Sequence, residues 1–203
     1  MKEENTKDTH SSSESPDFYF EKGKKYMIVG PSGSGKSSLL KDICQVGFRQ
    51  SEVVFNNINM SNPDLAETIS YVPQKVFLYS GSLLDNLTLS SESPNPIKLD
   101  NSLRLSDCIS FLDKTDQTSL ENFEISSIQD KFSGGQLKRL AIARAMYRNT
   151  EWLLLDEATS GLDQSLELTI VENIVTNVSS VIFVTHNRAL SVYFDEVIDL
   201  EAL

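Results

Sequence analysis

The stretch Gly30-Pro31-Ser32-Gly33-Ser34-Gly35-Lys36-Ser37 matches the pattern G-x-x-x-x-G-K-[ST] at every fixed position. An apolar run, Tyr26–Val29, precedes it, and an apolar-periodic stretch, Ser38–Cys44, follows it. This order of strand, loop and helix is the context in which such a motif binds phosphate. The glycines let backbone N–H groups turn onto phosphate oxygens, Lys36 can reach the β and γ phosphates, and the Ser37 hydroxyl can bind Mg²⁺. Residues 30–38 are therefore predicted to hold a nucleoside triphosphate; a plain glycine-rich turn is the alternative.

Length and charge limit the class of protein. A chain of 203 residues can bury one substantial core with a lobe attached, but hardly two independent domains. The formal net charge of −11 argues against sequence-independent attraction to nucleic acid, which needs clustered lysine and arginine. We therefore expect no nucleic-acid partner. Cys44 and Cys108 have no partner at metal or redox spacing, so both are expected to be reduced and partly buried, with a structural disulfide as the alternative.

The first residues of the chain differ in character from the rest. Residues 1–16 are polar and rich in serine, which predicts a flexible linker. They lack the basic-then-apolar form of a signal peptide, and no stretch of the chain approaches the ~18 apolar residues of a membrane span. Any membrane role is therefore expected to come through a partner.

Apolar runs that alternate with helical patterns predict an α/β fold on a largely parallel sheet. The predicted strands are Tyr26–Val29, Val53–Phe55, Ile69–Val72, Trp152–Leu155, Val181–Val184 and Val197–Leu200. Between residues 83 and 148 strand-like runs are scarce and apolar residues recur at mixed helical spacing, which predicts an inserted helical lobe. We therefore expect one domain over 17–203, with its core at 17–82 and 149–203 and a helical subdomain at 83–148.

Two acidic residues, Asp156 and Glu157, follow the buried run Trp152–Leu155 directly. In an open parallel sheet, ligands bind at the carboxyl ends of the strands, where the phosphate loop also lies. Asp156 can then hold Mg²⁺, and Glu157 can accept a proton from the water that attacks the γ-phosphate. A strand that simply ends in solvated acids is the alternative.

A second glycine-rich segment, Ser133-Gly134-Gly135-Gln136, precedes a basic, alanine-rich helical pattern. Serine and glycine at a helix start could be simple capping. Together with Asp156-Glu157-Ala158-Thr159-Ser160, however, the segment resembles the signature and the acidic strand of the ATP-binding-cassette (ABC) ATPases. Three further segments resemble the family's glutamine loop, aspartate loop and switch histidine in the same order: Tyr71-Val72-Pro73-Gln74, Ser160-Gly161-Leu162-Asp163 and Val184-Thr185-His186. The resemblance covers about residues 18–200 and implies a P-loop NTPase (RecA-like) sheet core with an inserted α-helical subdomain.

The resemblance implies a role for each matching residue of one subunit. Lys36 and Ser37 would take the phosphates and Mg²⁺ of bound ATP. Gln74 would contact the metal and the attacking water, and would report the nucleotide state to the transmembrane domain of a transporter. Glu157 would be the general base, while His186 would hydrogen-bond the γ-phosphate and orient the water.

The resemblance also implies a dimer. Two such domains bind head to tail in this family, so Ser133 and Gly135 would contact the γ-phosphate held by the other subunit's phosphate loop. A helix N-terminus with free N–H groups is an anion site, which agrees with that assignment. Whether the second nucleotide-binding domain is identical or different stays open.

One segment resembles the exporter branch of the family, namely Phe77–Ser82 followed by Asp85-Asn86. Other segments depart from the family pattern. Phe132 stands where leucine is usual, and Glu124–Gln129 lacks the usual glycine-rich composition before the signature. The family's adenine-stacking aromatic belongs near Thr6 and is absent there, which leaves Phe18 or Tyr19 as substitutes.

The sequence therefore predicts a Mg²⁺-dependent ATPase domain of an exporter, located at the cytoplasmic face of the cell membrane through a membrane partner. The alternatives are a regulatory nucleotide-binding module with low turnover and a soluble ABC ATPase that acts on DNA or ribosomes. A small-molecule P-loop kinase would leave Ser133–Gln136 unexplained.

Overall fold

A five-stranded parallel sheet forms the centre of the molecule, in the strand order β4-β7-β8-β2-β9. The computed structural model describes residues 18–44, 53–55, 65–112, 120, 124–125 and 132–202. The strands of this sheet are β2 (Lys25–Val29), β4 (Ile69–Val72), β7 (Trp152–Asp156), β8 (Ser180–Val184) and β9 (Glu196–Asp199). The prediction of an α/β fold on a parallel sheet is confirmed. The predicted linker at 1–16 lies outside the described residues.

Helices connect and cover the strands. They are α1 (Lys36–Ile43), α2 (Leu65–Thr68), α3 (Leu83–Thr88), α4 (Pro96–Leu105), α5 (Ile109–Leu112), α6 (Gly134–Arg148), α7 (Gln164–Asn177) and a 3₁₀ helix (Arg188–Tyr193). Helix α1 follows β2, and α7 connects β7 to its parallel neighbour β8.

The strands β7 and β8 are buried along their whole length because helices pack on both faces of the sheet. Met27 and Val29 of β2 face a cluster that includes residues of α6 and α7. Tyr26 and Ile28, which alternate with them, face a second cluster that includes residues of α1. This two-sided burial explains the continuous apolar runs in the sequence, since strands covered on both faces have no polar side.

One predicted strand belongs to a different sheet. Strand β3 (Val53–Phe55) pairs in parallel with β1 (Phe18–Phe20) in a separate two-stranded sheet, not with the central five strands. A run of three apolar residues carries no information about its pairing partner. The sequence therefore predicted that this segment is a strand, but not the sheet to which the strand belongs.

A third apolar cluster joins residues of α3, α4, α5 and α6. The helices begin at local capping signals: Ser82 and Asp85 form a capping box for α3, and the Asn95 side chain caps α4, which starts at Pro96. The stretch predicted to be helical also contains a two-residue strand, β6 (Glu124–Ile125), which pairs antiparallel with β5 (Gly81–Ser82).

Cys44 and Cys108 are free thiols, and desolvation raises the pKa of each to about 12.

Candidate functional site at the carboxyl ends of the strands

Four of the sequence motifs meet at one edge of the central sheet. The phosphate loop follows β2, Gln74 follows β4, Asp156 ends β7 with Glu157 directly after it, and His186 follows β8. Parallel strands place their carboxyl ends at the same edge, which brings these distant segments together. A cavity of about 240 Å³ opens there, lined by Ser32, Gly33, Gly35, Lys36, Ser37, Ser38, Gln74 and Glu157.

The phosphate loop has the backbone of an anion cradle. Gly33 and Gly35 have φ angles of +85° and +92°, and open space lies where a side chain at either position would project. Only glycine adopts this left-handed conformation without strain. Gly35 is also the N-cap of α1 and carries no capping side chain, so the first N–H groups of that helix remain available to a ligand.

The polar groups of the loop fit a bound polyphosphate. The Lys36 ammonium is buried and donates to the carbonyl oxygens of Gly30 and Pro31 at 2.8 and 2.7 Å. Within the described part of the chain it has no carboxylate in ion-pair contact, and Ser34 Oγ is buried without a hydrogen-bond partner. A buried cation without a counter-charge is costly, and a phosphate group would supply that charge.

Oxygen ligands suited to a magnesium ion lie beside the loop. Ser37 Oγ donates to Asp156 Oδ1 at 3.0 Å, and Tyr71 Oη donates to Asp156 Oδ2 at 3.3 Å. Desolvation and the Asp156 carboxylate raise the pKa of Tyr71, so its hydroxyl stays protonated and acts as the donor. No group of three or more His, Cys, Asp or Glu side chains among the described residues could hold a metal. The hydroxyl of Ser37 and the carboxylate of Asp156 are oxygen donors that suit Mg²⁺, which binds through one or two carboxylates plus substrate phosphates.

The Glu157 carboxylate lies between two other candidate residues. Gln74 Nε2 donates to its Oε2 at 2.7 Å, and His186 Nε2 lies 2.5 Å from its Oε1. The Glu157 side chain is 14% exposed, and its backbone has a φ of +49°. This left-handed conformation costs a glutamate roughly 1–3 kcal/mol, so the surrounding contacts must hold it. Strain of this kind is concentrated at functional sites.

The segment Ser133–Gln136 lies apart from this group. Ser133 and Gln136 form a reciprocal capping box at the start of α6, so the capping that the sequence left as an alternative is present. None of the four residues lines the phosphate-loop cavity. Their link to the site runs through α6, where Lys138 Nζ donates to the carbonyl oxygens of Glu157 and Ser160 at 3.1 and 2.7 Å. Burial lowers the pKa of Lys138, which the nearby Glu157 carboxylate partly offsets.

The structure adds residues that the motifs did not indicate. Tyr71 and Lys138 contact the two acidic residues, and Glu167 on α7 accepts from Thr159 and Asn187, which flank the site. The sequence contained one indication of these residues, since Lys138 lies in the basic helix after the second glycine segment.

The two aromatic candidates for base stacking differ in exposure. Phe18 is 8% exposed and packs in the core, while Tyr19 is 52% exposed.

The fold and the loop together define a P-loop nucleotide-binding protein. Comparison with known proteins gives the family. The family model described as ABC transporter matches residues 14–160. The processing and transport ATP-binding protein LagD for lactococcin G, from Lactococcus lactis subsp. lactis, is 34% identical over 87% of this chain and 26% of its own length. The glutathione/L-cysteine transport system ATP-binding/permease protein CydC of Escherichia coli (strain K12) is 36% identical over 83% of this chain and 30% of its own.

A solved structure agrees on the fold. A bacterial Atm1-family ABC exporter with ATP bound superposes with a TM-score of 0.73 at 24% identity, over 88% of this chain and 32% of that one. The chain therefore belongs to the ABC transporter family and is an ATP-binding domain of that family. It spans about a quarter of the length of the first curated relatives it matches. No helix in the described part of the chain is long and apolar enough to cross a membrane.

Proposed function

We propose that this ABC domain binds MgATP in the phosphate loop and hydrolyses it with Glu157 as the general base. The observation that carries the proposal is the Glu157 carboxylate, which lines the phosphate-loop cavity while contacting both Gln74 and His186. A carboxylate placed beside the γ-phosphate position can take a proton from the attacking water.

The other residues of the site bind and orient. Lys36 would exchange its two carbonyl contacts for the β and γ phosphates, with the backbone N–H groups of Gly33 to Ser38 around them. Ser37, Asp156 and Gln74 would hold Mg²⁺, which when bound neutralises charge on the β and γ phosphates. His186 would hydrogen-bond the γ-phosphate and keep the water on the Glu157 side.

A second domain of the same kind would complete each site. Ser133–Gln136 lies outside the phosphate-loop cavity of its own chain, yet it forms the N-terminus of the 15-residue helix α6. Such a helix end favours an anion, and a head-to-tail partner would supply one. Gly135 also lies against the loop after β7, because a Cβ on it would come within 2.9 Å of Leu162 Cδ2. A partner contact at Ser133 would therefore reach the loop that begins at Glu157.

The proposed membrane role rests on a transmembrane partner. Phe77, three residues after Gln74, is 73% exposed, and its carbonyl accepts from Arg144 Nη2 at 3.1 Å. Exposed aromatic side chains are enriched in protein interfaces. We propose that the transmembrane domain of an exporter covers this surface, which would hold the chain at the cytoplasmic face of the membrane and couple ATP hydrolysis to export.

Mixing two inactive variants tests the composite site. Ser133→Arg protein and Lys36→Ala protein should each hydrolyse little ATP, while their mixture should regain activity because the heterodimer retains one intact site. Wild-type turnover should also rise faster than linearly with protein concentration. Specific activity that stays constant over a hundredfold dilution, with no recovery on mixing, would contradict the head-to-tail dimer. Normal ATP binding with negligible turnover at all concentrations would instead favour a regulatory nucleotide-binding module.

A further inference from the structure

The two loops that carry Glu157 and His186 are joined by a third side chain, Glu167 in the first turn of α7. Glu167 Oε1 accepts from Thr159 Oγ1 at 2.7 Å, and Glu167 Oε2 accepts from Asn187 Nδ2 at 2.8 Å. Thr159 is two residues after Glu157, and Asn187 directly follows His186. Each oxygen of one carboxylate therefore holds one of the two loops.

The partners of Glu167 are themselves fixed. Thr159 is 1% exposed. Asn187 Oδ1 accepts from the backbone N–H of Ala189 at 3.1 Å, and the Asn187 N–H donates to Thr185 Oγ1 at 3.0 Å. Because the side-chain oxygen of Asn187 accepts from Ala189, the side-chain nitrogen is the atom that faces Glu167. The Glu167 N–H in turn donates to the carbonyl of Asp163, which caps α7.

The orientation of Glu157 depends on the segment that follows it. Its N–H donates to the carbonyl of Val184 at 3.0 Å, but its left-handed φ of +49° turns the chain away from the strand direction immediately afterwards. The tie from Thr159 to Glu167 holds that turn, and the tie from Asn187 to Glu167 holds the residue after His186. The Glu157 and His186 side chains lie 2.5 Å apart, so the two loops that Glu167 holds also meet at this contact.

We propose that Glu167 is a positioning residue that sets the relative placement of Glu157 and His186 for ATP hydrolysis. The inference rests on the proposed function, since the step that Glu167 would affect is ATP hydrolysis at Glu157. It assigns Glu167 no contact with nucleotide. It predicts that Glu167 controls turnover and leaves nucleotide binding alone.

Steady-state kinetics of the full 203-residue chain test the proposal. Glu167→Ala should lower kcat on the order of 10- to 100-fold, because small displacements of reacting groups cost that much, while KM for MgATP stays within about twofold. Glu167→Gln should restore most of the activity. Its amide oxygen can accept from Asn187, and the Thr159 hydroxyl can accept from its amide nitrogen.

Glu172 provides a matched control on the same helix. Its carboxylate accepts from Tyr193 Oη at 2.9 Å and so ties α7 to the 3₁₀ helix, without touching either loop of the site. Glu172→Ala should therefore leave kcat near the wild-type value even where it lowers Tm as much as Glu167→Ala does. Thr159→Val keeps the buried volume, removes one of the two ties and should lower kcat by a smaller factor, so it carries the test if Glu167→Ala fails to fold.

Combined variants separate positioning from general destabilisation. Losses of kcat in Glu167→Ala and His186→Ala should be less than multiplicative when combined, because both act on one arrangement. Fully multiplicative losses, or wild-type kcat in both Glu167→Ala and Thr159→Val, would overturn the inference. Glu157→Gln is measured alongside: if it hydrolyses ATP as fast as wild type, the proposed function has failed, and if it is inactive, the result for Glu167 stands on its own.

Discussion

Replacing Glu157 by glutamine removes the proposed proton acceptor while keeping the shape of the side chain. The carboxylate accepts from Gln74 Nε2 at 2.7 Å and lies 2.5 Å from His186 Nε2. Glutamine retains one acceptor oxygen, and the Gln74 amide can turn its own oxygen toward the new nitrogen. The site should therefore keep its geometry, so that a change in rate reports the lost base.

The expected loss follows from the chemistry of that base. General-base catalysis contributes about 10²–10⁴-fold, so kcat should fall at least about 100-fold, equivalent to about 2.7 kcal/mol in the activation free energy. MgATP binding should be retained or become tighter, because the variant removes a negative charge facing the γ-phosphate. Bound ATP should then persist and hold two chains together.

Phosphate release and size-exclusion chromatography measure the two effects. Glu157→Gln with ATP should elute as a dimer that the wild type shows weakly or not at all. Glu172→Gln is the matched control, since it makes the same substitution at the carboxylate that contacts Tyr193. It should hydrolyse ATP at the wild-type rate and form no additional dimer.

A single result would refute the assignment of the base. If Glu157→Gln hydrolyses ATP at the wild-type rate, the carboxylate takes no proton in the rate-determining step. Gln74 and His186 would then have to position the water without a base.

Three further predictions concern binding and stability. Lys36→Ala should abolish MgATP binding at micromolar nucleotide in titration calorimetry, and unchanged affinity would show that Lys36 lies outside the phosphate site. Asp107→Ala leaves the Arg139 side chain, which is 10% exposed, without its carboxylate partner. Urea unfolding should then show a free energy of unfolding lower by about 2 kcal/mol, which is less than the ~3–5 kcal/mol lost when a fully buried pair is broken. Asp107→Asn should give a loss between that of Asp107→Ala and zero. Competition binding should show ATP favoured over GTP by less than the ~1–3 kcal/mol of a stacked base, and a stronger preference that Tyr19→Ala removes would identify Tyr19 as the stacking residue.

Much of the site could be read from the sequence because its residues follow buried strands directly. The phosphate loop and Asp156 come directly after an apolar run, and His186 comes two residues after another, while the carboxyl ends of parallel strands meet at one edge. Strand β3 shows the limit of the same reasoning: its apolar run predicted a strand, but its pairing with β1 depends on the path of the chain between them.

The sequence by itself determined the parallel α/β fold, the phosphate loop and the acidic pair that ends β7, because each of these leaves a local pattern of apolar spacing, glycine and charge. Only the tertiary structure decided which distant side chains touch. Glu167 meets Asn187 twenty positions away, and Lys138 reaches the carbonyl of Glu157 nineteen positions away. Such contacts follow from how helices dock on the sheet, and hydrogen bonds across that distance leave no periodicity in the sequence.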